Sequence, residues 1–333
     1  MRVNFFPLLS LSIYPPLLGF LSPHIFATAI YPLFKGAQLN WRWLFLLVSL
    51  TTLLVYQEIY FDIEFMREFA RVALPLIALS ISYRVINDRA LINFLLFLLF
   101  LDTIYRLVLV PQSVFFGPFS PQIYTVKSIG LPFFIDTNIV GLWAAVLYFE
   151  KSFSRPLMRI LILIIIWLSF SRGVYVAFFL ALLFFHFFPG LKVRTRIILF
   201  IAAAGLVLGL WTGLSELVSS DNSGRTKMLI VERSLTFLGT DTQTLLFGIG
   251  SGMFKVDYTF AAHNLIGFYS ELGLVGGTLV FFPIVYFALF SRSSTVVAQA
   301  IVIGICGLGS LFPVAYLAWW YVLASYRSRS IGQ

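Results

Sequence analysis

Met158 to Phe188 reads MRILILIIIWLSFSRGVYVAFFLALLFFHFF. Its formal charges are Arg159 near the start and Arg172 in the middle. Apolar residues run on without alternation, so the stretch is neither a half-buried strand nor a strand of a membrane barrel. It is also too long for one crossing helix, which needs about 20 apolar residues. Broken at Ser171-Arg172-Gly173, it makes two short helices, 158–170 and 173–188, with an arginine at the hairpin between them. A charge hemmed in by apolar sequence is costly, and it marks either a functional group or a snorkelling turn residue.

The rest of the chain repeats this texture. Hydrophobic residues make up 60% of the 333 and charged residues 11%, against about 25% charged in a soluble domain. That is too little polar surface to cover a water-exposed globule, so the bilayer is expected to be the solvent. Apolar runs fall at 5–21, 23–34, 43–60, 69–86, 90–110, 131–149, 158–170, 173–188, 197–211, 264–290, 295–310 and 311–325. Because helices satisfy their own backbone in lipid, the expected fold is all-α, a polytopic helical bundle of about 12 transmembrane helices. The first run, broken by Pro15 and Pro16 and followed by Pro23, is expected to be a span or hairpin rather than a cleaved signal peptide.

The net charge of +9 does not point to nucleic acid, because the basic residues lie between apolar runs instead of forming one stripe. With the N-terminus in the cytoplasm, 14 of the 23 Lys and Arg fall inside and 9 outside. Of the 14 acidic residues only Asp88 and Glu150 fall inside. The basic bias supports an N-in, C-in, multi-pass orientation. Two segments are then external, 111–130 with Lys127, and 212–262, the longest polar stretch. The chain divides into N-terminal membrane helices, 1–130, and a membrane domain, 131–333, that includes the 212–262 loop. Cys306 is the single cysteine, which excludes a disulfide within the chain and a cysteine metal cluster.

Several groups could carry chemistry. Arg172 lies on the side that the positive-inside rule disfavours. Asp221-Asn222-Ser223-Gly224-Arg225 favours a turn and a helix start. There Arg225 is either part of an anion site or an ordinary solvated loop residue. Gly248-Ile249-Gly250-Ser251-Gly252 is a bare glycine run, without the strand or the Lys-Ser/Thr that a nucleotide loop requires. His263-Asn264 sits where the long loop meets a helix, and Ser270 returns to the same face seven residues on. Neutral imidazole is the usual base near pH 7; the plainer alternative is a capping histidine. His24 and His186 lack polar company and read as structural. Asp102 and Arg106 are spaced to pair on one helix face and read as structural. Asp62 and Glu64 could hold a cation, but carboxylates beside a membrane are more often solvated, and no metal is expected.

In order and spacing, Ser171-Arg172-Gly173, Gly224-Arg225, Gly248-Ile249-Gly250, and His263-Asn264 with Glu271 to Gly276 resemble the O-antigen ligase / O-antigen polymerase superfamily of bacterial inner-membrane proteins. Asp136-Thr137-Asn138 opening a span is similar to that family's Asp/His-Pro-Asn, with Thr137 in place of proline, and Met228 stands where relatives often carry an aromatic. The likeness covers roughly residues 130–290. It implies a metal-independent, inverting glycosyltransferase without a cofactor, acting at the periplasmic face of the inner membrane. The implied donor is an undecaprenyl-diphosphate-linked glycan, and the acceptor another lipid-linked glycan or lipid A-core. Arg172 and Arg225 would bind the diphosphate, and His263 would deprotonate the acceptor hydroxyl. Asn264, Glu271, Asn138 and Lys127 would support them. Membrane lipids, a chain-length regulator and a flippase are the implied partners.

For a chain this short, with little loop beyond 212–262, the resemblance leans slightly toward polymerisation of repeat units over ligation to lipid A-core. A metal-dependent glycosyltransferase using Asp62 and Glu64 is a rival enzyme. A polysaccharide transporter or lipid flippase is the rival from another class, although such folds tend to show repeated halves.

Overall fold

A computed structural model of the protein describes residues 38–39, 41–57, 81–82, 88–116, 122–127, 129, 131, 137–150, 156–187, 190–199, 201–202, 222–250 and 265–308. Nearly all of these are helical. In chain order the elements are β1 (Gln38–Leu39), α1 (Trp41–Gln57), β2 (Ile81–Ser82), α2 (Asp88–Leu109), a 3-10 turn (Pro111–Phe115) and α3 (Ile123–Lys127). Then come α4 (Thr137–Tyr148), α5 (Pro156–Leu168), α6 (Arg172–Phe187), α7 (Asn222–Leu238), α8 (Thr242–Phe247), α9 (Leu265–Phe290) and α10 (Ser294–Cys306).

α2, α5, α6, α9 and α10 match their apolar runs to within a few residues. α4 starts at Thr137, later than the run that opens at 131. One stretch departs from its expected state. Ile81 and Ser82 end the run 69–86 read as a helix, but they pair antiparallel with Leu39 and Gln38. A β-branched residue between two serines has weak helix preference, since short hydroxyl side chains compete for the backbone. Both strands fall on the cytoplasmic side of the orientation derived from charge. The runs 5–21, 23–34 and 311–325 lie outside the described residues.

The core is a single apolar body built chiefly from α4, α5, α6, α9 and α10. α4 is buried nearly all round, from Ile139 to Leu147. It forms an antiparallel hairpin with α5: the Arg159 guanidinium lies 5.9 Å from the Tyr148 ring, while Gly141 meets Ser169 and Val174. α10 packs along α6, and Gln299 donates to the Val146 carbonyl and the Glu150 carboxylate, at 3.0 and 2.9 Å. Buried Arg196 donates through Nη1 to the carbonyls of Leu289 and Ser291, at 3.3 and 2.8 Å, and so caps the end of α9.

These contacts assign the helix ends. The close of α4, the start of α5, the close of α9 and the start of α10 share one end of the bundle. Asn138, Ser169 to Arg172 and the first turns of α9 therefore share the opposite end.

The outer faces are apolar. On α5, Leu157, Ile160, Ile164 and Trp167 are exposed and recur at helical spacing as one stripe, while Ile162, Ile165 and Ile166 face inward. Val176, Phe179, Leu183 and Phe187 make a similar exposed line on α6. Ile266–Phe290 is the one helix among the described residues long and apolar enough to cross a membrane by length and composition. α4 has 12 residues, or about 18 Å, well short of a hydrocarbon core of about 30 Å.

Candidate functional site

α5 ends at Leu168 because the chain turns sharply. The Ser169 hydroxyl donates back to the Ile166 carbonyl at 2.7 Å and accepts from the Ser171 N–H at 3.4 Å. Phe170 adopts φ 51°, a left-handed conformation that costs a non-glycine residue about 1–2 kcal/mol. The surroundings hold it there. Its ring packs with Leu168, Ile123 and Val126 in a small apolar cluster. Past this bend Arg172 is the first residue of α6, half-buried. The Tyr175 hydroxyl donates to the Trp167 carbonyl across the hairpin, closing it.

α4 approaches the bend so closely that a Cβ on Gly141 would sit 2.5 Å from the Ser169 Oγ. Asn138 lies one turn before Gly141, on the same face of α4. The structure thus brings Asn138 and Arg172 to one junction. Lys127 is the last residue of α3, the helix that lends Ile123 and Val126 to the cluster around Phe170. Asn138, Lys127 and Arg172 all have interaction partners.

A second assembly is built around a break in α9. Gly273 has φ 68° and ψ −179° and interrupts the helix. Such a break frees upstream carbonyls that the next turn would otherwise bond. The glycine run upstream takes them up. Ile249 N–H donates to the Ser270 carbonyl at 2.9 Å, and Gly250 N–H to the Glu271 carbonyl at 3.0 Å. The two backbones touch directly. A Cβ on Gly248 would fall 2.2 Å from the Glu271 oxygen, and one on Gly273 would fall 2.3 Å from the Leu246 oxygen. Gly248-Ile249-Gly250 is therefore a clasp on the kinked helix. Glu271, whose carbonyl anchors it, is itself buried.

α7 rests on the same part of α9. Its Ser234 hydroxyl hydrogen-bonds the Ser270 hydroxyl at 2.9 Å, with both groups buried. The helix begins at Asn222, so Arg225 lies in its first turn, close to the free N–H groups of the terminus. The Arg225 side chain lies outside the described residues, as do His263, Asn264, Asp62 and Glu64. α9 begins immediately after Asn264, where the sequence places a helix start. α8 is capped by Asp241, whose carboxylate accepts from the Thr244 N–H and hydroxyl, both at 2.8 Å. The Thr244 N–H bond, and then the hydroxyl, hold that exposed carboxyl below the usual aspartate range.

One group that the sequence reading paired as structural has hydrogen-bonding capacity left over. Arg106 is almost wholly buried, its guanidinium carbon 5.4 Å from the Phe170 ring centroid. The spacing to Asp102 suggested a structural ion pair. Asp102 is buried too and acts on Arg106 electrostatically, but the Arg106 Nε and Nη2 have no hydrogen-bond partner. Periodicity places both residues on one face; it does not report whether the fork closes.

His186 is exposed and meets the Phe185 ring edge-on at 5.4 Å. Among the described residues no group of three or more His, Cys, Asp or Glu could hold a metal ion. No family model and no curated protein matches this chain.

Proposed function

We propose that the chain is a polytopic inner-membrane glycosyltransferase of about 12 spans, which polymerises undecaprenyl-diphosphate-linked repeat units at the periplasmic face. The observation that carries this reading is a convergence at one end of the bundle. The Ser169 to Arg172 bend, Asn138 and the clasped start of α9 all open there. These elements carry the likeness to the O-antigen ligase / polymerase superfamily, and they come from separate parts of the sequence. The exposed apolar stripes on α5 and α6 support immersion in lipid.

In the proposed reaction the acceptor hydroxyl attacks the anomeric carbon of the donor sugar. The bond from that carbon to the phosphate oxygen breaks, and undecaprenyl diphosphate leaves. His263 takes the hydroxyl proton. Arg172 and Arg225 offset the charge that builds on the departing diphosphate. Residues 222–250 are held on α9, the helix that opens immediately after His263 and Asn264 in sequence.

The test uses purified protein, a synthetic undecaprenyl-diphosphate oligosaccharide and EDTA. Wild type is expected to give a ladder of longer lipid-linked glycans, and His263→Ala or Arg225→Ala none. A single addition that requires lipid A-core would replace polymerisation by ligation. Ladder formation at a near-normal rate by either variant would remove the role assigned to that residue.

A further inference from the structure

Arg106 is a buried charge beside Asp102 whose hydrogen-bonding capacity is only partly used. It lies on α2, its side chain 1% exposed. The guanidinium carbon lies over the Phe170 ring, 5.4 Å from its centroid. Nε and Nη2, the two donors that share one edge of the guanidinium plane, have no hydrogen-bond partner among the described residues. Leaving buried donors unsatisfied is costly, more so on a charged group. Such an edge presents two parallel N–H bonds, a fork that matches two oxygens of one phosphoryl group. Ser113, buried on the 3-10 turn that continues α2, likewise has a hydroxyl without a partner.

The position suits an amphiphilic anion. Arg106 stands beside the bend that delivers Arg172, at the same end of the bundle. Tyr105 and Leu109, adjacent to it around α2, are exposed, so buried charge and apolar outer surface lie within one helical turn.

We infer that Arg106 is a further phosphoryl-binding residue, whose Nε/Nη2 edge takes two oxygens of a phosphate or diphosphate while a lipid tail lies against the exposed apolar side of α2. Naming the ligand as the lipid diphosphate of the donor rests on the function proposed above; the anion site itself does not. Binding completes the two missing hydrogen bonds.

The experiment uses full-length protein in detergent, with farnesyl diphosphate and inorganic pyrophosphate as probes, followed by calorimetry and thermal melting. Wild type is expected to bind farnesyl diphosphate. Arg106→Lys, which keeps the charge and loses the fork, and Arg106→Met, which loses both, are each expected to bind it about tenfold more weakly or worse. Arg106→Met also leaves buried Asp102 without the charge that acts on it, so melting serves to show that each variant is folded, and Arg106→Lys, which keeps that charge, carries the test if Arg106→Met does not fold.

Pyrophosphate binding as tight as farnesyl diphosphate, and equally dependent on Arg106, would mean that the site reads the anion alone. Preference for the farnesyl compound would mean a lipid headgroup. The inference fails if wild type binds neither probe, or if Arg106→Lys or Arg106→Met binds farnesyl diphosphate as wild type does. Absence of glycan transfer alongside Arg106-dependent binding would overturn the proposed polymerase and leave the anion site standing.

Discussion

Replacing Gly273 with alanine tests the clasp that ties Gly248 to Gly250 to α9. The backbone there, φ 68° and ψ −179°, belongs to a region open almost only to glycine, and forcing alanine into it costs about 1–3 kcal/mol. The added Cβ would also stand 2.3 Å from the Leu246 oxygen, so the segment must lift. Lifting breaks the Ile249 to Ser270 and Gly250 to Glu271 hydrogen bonds, at about 1 kcal/mol each and more where an acceptor is left dry. The total is about 3–5 kcal/mol, a large share of a typical stability of about 5–15. At about 2 °C or more per kcal/mol, the melting midpoint in detergent should fall by about 6 °C or more. Gly248→Ala attacks the same contact from the other side, where its Cβ would meet the Glu271 oxygen at 2.2 Å. The double variant should therefore cost well under the sum of the singles. Gly173→Ala is the control. It lies in a helix with nothing within 4 Å of the added carbon, and should be neutral or stabilising by up to about 1 kcal/mol. A Gly273→Ala protein that melts within about 2 °C of wild type, or fully additive singles, would refute the clasp.

Gln299→Leu removes a donor 2.9 Å from the buried Glu150 carboxylate; it should destabilise by about 1–3 kcal/mol, and Glu150→Gln in that background should recover part of the loss in the same melt. Asp241→Ala should speed hydrogen exchange at the Thr244 amide, while Asp241→Asn, which keeps an acceptor, should largely preserve protection. Because Thr244 depresses the folded pKa of Asp241, this stabilisation is present above the unfolded aspartate pKa and is lost as pH falls through the lower folded value; exchange at α8 should accelerate across that acidic window in wild type but not in Asp241→Asn. Arg225→Lys retains charge without a bidentate fork, so glycan transfer should fall about tenfold or more; full activity would reduce Arg225 to a general electrostatic role.

Much of the helical frame was legible because continuous apolar runs leave few alternatives. The interruption at Ser171-Arg172-Gly173 marked the hairpin between α5 and α6, and α7 starts at Asn222, within the Asp221 to Arg225 segment read as a helix start. Other features depend on contacts between distant segments. The run Gly248-Ile249-Gly250 looked like a weak ligand loop, since nothing local shows that its partner is a broken helix more than 20 residues on. Gly273 hid among the neighbouring Gly276 and Gly277, and spacing alone does not distinguish a break from close packing. Arg106 was masked by its regular distance from Asp102. The Ile81–Ser82 pairing was missed because a two-residue bridge has no periodicity of its own.

The clasp also orders events in time. α7, α8 and Gly248 to Gly250 are synthesised before α9, so the N–H groups of Ile249 and Gly250 remain hydrated until Ser270 and Glu271 arrive. Docking of the loop and seating of α9 then become one event. A nascent protein cut short before Ser270 would hold Gly248 to Gly250 with nothing to grip.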